Sequence, residues 1–100
     1  MAIDERTRKL AKLVVNYSVF VKPYENVVLS ASTEAESFIV ALYEEILKAD
    51  GHPILRLSVP GLNPIYYKYA KDHHLKKFPE YFDYMVKNAQ KYIGVDTASN

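Results

Sequence analysis

Three histidines, His52, His73 and His74, and twelve Asp and Glu carboxylates are the acid–base and metal-ligating groups of this 100-residue chain. Successive residues on a helix point about 100° apart, so His73 and His74 make a poor pair for one metal ion. His52 lies in a tight turn before Pro53, where an exposed or capping histidine is expected. Glu44 and Glu45 are adjacent on what reads as a long helix, placed on its outer, solvated side rather than as a catalytic acid–base pair. There is no cysteine, which excludes a disulfide framework, a zinc–thiolate site and a thiol nucleophile. Glycine-rich phosphate loops, the nucleophile elbow and H-E-x-x-H are also missing from the sequence. Ser30-Ala31-Ser32-Thr33, between a strand and a helix start, has the placement of an anion site, yet no glycine there brings backbone close to a phosphate. Tyr66, Tyr67, Lys68, Tyr69, Lys71, Lys76 and Lys77 mix aromatic and basic groups, as a nucleic-acid surface does. The alternative is tyrosines packed on a sheet beside solvated lysines.

These residues hang on a strand–helix–strand unit from Asn26 to Val59. Asn26 to Ala31 is a short β-branched, apolar run. A helix start follows, with Thr33 and Glu36 spaced for a capping box. Phe38, Ile39, Leu42, Tyr43, Ile46 and Leu47 repeat with a helical period. Gly51 is expected to end that helix in the left-handed region, and Ile54 to Val59 forms the next strand. A crossover helix of roughly 17 residues, about 25 Å long, implies parallel strands joined right-handedly.

Before this unit, Asp4 is a plausible helix cap. Ile3, Thr7, Leu10, Leu13, Val14 and Tyr17 share one face of an amphipathic helix of about 14 residues. After it, Pro60-Gly61-Leu62-Asn63-Pro64 reads as a loop in which Asn63 caps a helix with Pro64 first, over Ile65 to Lys71. A short turn over His73–Lys77, a helix from about Pro79 to Gln90 and a third strand, Tyr92 to Asp96, complete the pattern. The order α-β-α-β-α-α-β predicts an α/β fold, Rossmann/flavodoxin-like, with a small parallel sheet of about three strands covered by helices. Ending just past a strand, the chain reads as a single domain (residues 1–100) cut from a longer parent.

A net charge of +1 gives no electrostatic reason to seek nucleic acid or an anionic membrane. The longest apolar run, Phe38 to Tyr43, is far short of a membrane span, and the charged N-terminus lacks a signal-peptide core. A cytoplasmic protein is expected.

Leu10-Ala11-Lys12-Leu13-Val14-Val15-Asn16-Tyr17-Ser18, followed by Val21-Lys22-Pro23 and Val27, resembles the start of the thermophilic metal-dependent aminopeptidases, the aminopeptidase T family. Similarity continues through Leu42-Tyr43-Glu44-Glu45, Gly51-His52-Pro53, Arg56 and Tyr67-Lys68-Tyr69-Ala70, and so spans most of the chain. Tyr24 departs from the family's usual Gly after Lys-Pro, and Tyr does not take positive φ cheaply.

The resemblance implies an N-terminal domain of a two-domain, often dimeric exopeptidase that releases N-terminal amino acids from peptides. Its two divalent metal ions, of the cobalt, zinc or manganese class, would be held by the C-terminal catalytic domain. None of those ligands maps onto residues 1–100, so no catalytic and no metal residue is assigned here. The partners implied are that catalytic domain, a peptide substrate and a second copy in a homodimer, with no nucleic acid and no membrane. Loops leaving the carboxyl ends of parallel strands collect at one edge. On that ground Ser30, Ser32, Thr33, Gly61 and Asn63, together with Thr97 to Asn100, are expected to face the cleft. The competing expectation is a free-standing flavodoxin-like module binding a nucleotide or RNA.

Overall fold

The structure is a computed structural model and describes residues 2–96. Three strands, β1 (Asn26–Ser32), β2 (His52–Ser58) and β3 (Lys91–Val95), form one parallel sheet in the order β2-β1-β3. Helices α1 (Glu5–Leu13), α2 (Glu36–Lys48), α3 (Leu62–Tyr69) and α4 (Asp72–Lys87) cover it. The chain steps from β1 to one neighbour through α2, then crosses back over β1 to the other through α3 and α4. Right-handed connections in opposite directions must place their helices on opposite faces.

The register fixes those faces. Val27, Leu29 and Ala31 pair with Pro53, Leu55 and Leu57 on one side and with Lys91, Ile93 and Val95 on the other. Their face meets α1 and α2 in the main core, where Ala11, Val15, Leu42 and Ile46 are fully buried. The opposite face carries Val28, Ser30, Ile54, Arg56, Tyr92 and Gly94 in register. β2 starts at His52, two residues earlier than the expected Ile54, so Pro53 falls inside it and is tolerated because β2 is an edge.

Several local expectations are corrected. α1 continues into a π-helical turn, Val14–Ser18. Its buried line is Ala11 and Val15, while Leu10, Leu13 and Tyr17 are exposed. A small residue at 11 allows α1 to pack against α2. The capping box at Thr33 and Glu36 does not form. Ser32 Oγ instead accepts from the Glu34 N–H at 3.2 Å, and a 3-10 turn, Thr33–Ala35, precedes α2. Glu45 is buried, not solvated, because α2 is covered by α1 as well as by the sheet; Lys48 Nζ lies 3.5 Å from its carboxylate. Glu44 bridges to Arg8 of α1 at 2.9 Å.

Gly51 does not take the left-handed conformation. Asp50 does, at φ 62°. The N–H of Asp50 donates to Leu47 O and that of Gly51 to Ile46 O, both at 2.9 Å, which is a Schellman closure. Gly51 is needed for space: a Cβ there would come 2.8 Å from Val21 Cγ1 and 3.1 Å from Ile46 Cγ2.

α3 starts at Leu62, two residues earlier than the expected Pro64. Pro60 and Gly61 form a turn closed by Leu62 N–H to Val59 O, with Gly61 at φ 97°. Gly61, not Asn63, therefore occupies the cap position. α4 runs through Pro79 instead of restarting there. Proline has no N–H for the carbonyl four residues back, and this internal proline sits in an exposed stretch. No residue of α3 or α4 is fully buried: Tyr67, Tyr69, Tyr81 and Tyr84 are exposed, and Tyr66 is half-buried against Phe78.

Candidate functional site

The two edges of the sheet differ. At the amino edge, Asn26 is stitched to the α4–β3 connection: its N–H donates to Gln90 Oε1 at 2.7 Å and its Nδ2 to Asn88 O at 2.9 Å. Lys91 Nζ donates to Phe20 O at 3.2 Å and lies 3.5 Å from Glu25. Glu25 Oε1 in turn accepts the Lys22 N–H at 2.7 Å. That hydrogen bond, with the Lys91 and Lys22 charges, holds the Glu25 carboxyl below the usual carboxylate range, against the opposing effect of burial. The amino edge is therefore a structural clamp.

The carboxyl edge is open. A cavity of about 820 Å³ lies there on the Ser30–Arg56 face, under α3 and the middle of α4. It sits outside the carboxyl ends of the strands, the region in which open α/β sheets bind ligands. Ser30 and Ser32 of β1 stand in register with Arg56 and Ser58 of β2. Gly94, opposite Ser30 on β3, contributes no side chain, and the Tyr92 ring closes over it, 3.3 Å from where a Cβ would stand. Leu62 and Asn63 of α3 and Phe78 of α4 form the roof, and Tyr92 and Asp96 the far wall.

Arg56 is held in the cavity by three contacts. Its Nη1 donates to Ser30 Oγ at 3.2 Å. Its guanidinium carbon lies 4.5 Å from the Phe82 ring centroid and 5.9 Å from that of Phe78. Cation–π contact at these distances fixes the plane of the guanidinium. Alongside Phe78, Tyr66 has a buried hydroxyl with no hydrogen-bond partner among the described residues.

Of the five residues expected at the cleft, the fold brings Ser30, Ser32 and Asn63 together in this cavity. Thr33 lines a smaller hollow of about 240 Å³ with Glu36, Ile39, Val40 and Leu57. Gly61 is exposed and shapes the entry to α3. Thr97 to Asn100 lie outside the described residues. Arg56, Ser58, Gly94 and Asp96 were not singled out as site residues by the sequence. A cation two residues before Ser58 in a strand is the one signal that puts both on the same face.

The histidines lie elsewhere. His73 and His74 stack with ring centroids 3.9 Å apart, and His74 Nδ1 accepts the Lys71 N–H at 3.0 Å as a cap on α4. His52 is exposed at the start of β2. Among the described residues, no three His, Cys, Asp or Glu side chains form a group able to hold a metal ion. None of the described helices is long and apolar enough to cross a membrane.

The model of a family described as thermophilic metalloprotease (M29) matches residues 3–100. Among solved structures, the chain is similar to wild-type AmpT from Thermus thermophilus, with a TM-score of 0.75 and 17% identity. That match covers 97% of this chain and 26% of the other, so this chain spans about a quarter of the length of that structure. At such identity the likeness is one of fold. No curated protein matches.

Proposed function

Since the chain belongs to the thermophilic metalloprotease family, we propose that it is the N-terminal α/β domain of a two-domain metallo-aminopeptidase. In this role it walls the substrate cleft and packs against a catalytic domain that carries the metal ions. The observation that carries the proposal is the cavity at the carboxyl edge of the sheet, where Ser30, Ser32 and Asn63 converge.

The described residues do not fit a metal centre, so no hydrolytic step is assigned to them. Their part is to bind and orient. Hydroxyls of Ser30 and Ser58 and the Asn63 amide offer hydrogen bonds to peptide backbone, while Leu62, Phe78 and Tyr92 offer apolar surface to side chains. Two metal ions of the cobalt, zinc or manganese class in the catalytic domain would supply the Lewis acid and activated water of the reaction. A Rossmann/flavodoxin-like topology, supported by the strand order β2-β1-β3, completes the reading together with a cytoplasmic location and a homodimeric parent.

The test is Asn63→Trp in the full-length enzyme. Asn63 is exposed on α3, so the indole enters the cavity without disturbing the core. We expect kcat/KM for peptides to fall on the order of tenfold, about 1.4 kcal/mol of lost transition-state binding. Unchanged kcat/KM for long and short peptides alike, in a folded variant, refutes the cleft-wall role.

A further inference from the structure

We propose that Arg56 is the specificity residue of this cavity and takes the C-terminal carboxylate of a short peptide substrate. The proposal rests on the cleft-wall reading above and goes beyond it by assigning the polarity of the bound peptide.

A guanidinium is always charged and carries five N–H donors in a fixed fork. Among the described residues Arg56 makes one side-chain hydrogen bond, to Ser30 Oγ. The ion pairs among the described residues are Arg8–Glu44, Lys9–Glu5, Lys48 with Glu44 and Glu45, and Lys91–Glu25. Arg56 is in none of them, although it is half-buried. A partly desolvated cation held against Phe82 and Phe78 has paid its ordering cost before any ligand arrives. That is the arrangement in which a planar carboxylate gains most from bidentate contact.

The surroundings set the direction. Arg56 and Asp96 are the charged groups among the cavity's described lining. They belong to opposite edges of the sheet, with β1 between them, so two strand spacings of about 4.8 Å each separate their strands. Asp96 repels an anion from the β3 side, and Arg56 attracts it to the β2 side. A peptide lying across the floor thus has its carboxylate at β2, with Ser58 beside it, and its free amino end toward β3. An exopeptidase that removes N-terminal residues needs that amino end directed away from the anchoring wall. A volume of about 820 Å³ suits a peptide of a few residues rather than one amino acid.

The experiment compares Leu-Gly-Gly, its C-terminal amide and Leu-Gly-Glu-amide as substrates of the metal-loaded full-length enzyme, for wild type, Arg56→Gln and Arg56→Lys. We expect wild type to favour the free acid over the amide by roughly tenfold to a hundredfold in kcat/KM, chiefly through KM. Arg56→Gln should bring the two within about threefold, with the larger loss on the acid, while circular dichroism and bound-metal content equal to wild type show an intact fold and metal centre. Arg56→Lys keeps the charge without the fork and should fall between them. An equal loss on acid and amide makes Arg56 a structural residue only and overturns the proposal. So does a wild type that does not discriminate, or one that accepts the Glu side-chain carboxylate as well as the terminal one. If wild type cleaves none of the three, the peptidase reading fails, and this proposal with it.

Discussion

Exchanging the conformational demands of Asp50 and Gly51 gives the sharpest test of how the α2–β2 turn is built. Sequence logic assigns the left-handed position to Gly51, but the structure gives it to Asp50 at φ 62° and gives Gly51 a crowded site. Gly51→Ala would place a Cβ 2.8 Å from Val21 Cγ1, 3.1 Å from Ile46 Cγ2 and 3.3 Å from Ile46 O. Val21 is 5% exposed and Ile46 0%, so neither branch has open space to move into. Overpacking of this kind costs about 1–3 kcal/mol. The lower entropy of Ala in the unfolded chain returns about 0.4–1 kcal/mol, leaving a net destabilisation of roughly 1–2 kcal/mol. Asp50→Gly works in the opposite direction: relief of the left-handed cost, about 1–2 kcal/mol, exceeds the entropy penalty and should stabilise by roughly 0.5–1 kcal/mol. In a domain this size 1 kcal/mol shifts Tm by about 4–8 °C. Thermal unfolding of the 100-residue chain should therefore show Gly51→Ala melting several degrees below wild type and Asp50→Gly several above. Val21→Ala removes the nearest atom, so the Val21→Ala, Gly51→Ala double mutant should lose less than the sum of the single mutants. A Gly51→Ala chain as stable as wild type, or an Asp50→Gly chain less stable, refutes the assignment.

Tyr24 has φ 69° and is 81% exposed, so Tyr24→Gly removes backbone strain at little loss of packing. It should raise stability by about 0.5–1 kcal/mol, and an unchanged or lower Tm contradicts this. Glu25 has a depressed folded-state pKa, so its contribution is present above the unfolded value near pH 4.3 and lost as pH falls through the folded value. The stability advantage of wild type over Glu25→Gln should be constant from pH 7 to about pH 5 and shrink below it; a difference independent of pH down to 3 would contradict the clamp.

Much of the architecture is written locally in the chain. Hydrophobic periods of 2 and 3.6, the Pro60-Gly61 turn and the run Asn26–Ala31 set which segments become strands and helices, because each signal acts within a few residues. The parallel sheet follows from the strand–helix–strand order and the handedness of crossovers. What local pattern does not hold is which neighbour β3 chooses and which face each side chain then meets. The pairing of β3 with β1 brings Tyr92 and Gly94 to the crevice, and the pairing of Ser30 with Arg56 places a cation on its floor. Glu45 looks solvated on its own helix and is buried once α1 lies across it. Gly51 looks like a conformational glycine and proves to be a steric one, since Val21 and Ile46 close on it from different elements. In each case at least one deciding group is distant in sequence and meets the other only when the sheet and helices pack, so excluded volume and register, not propensity, determine the outcome.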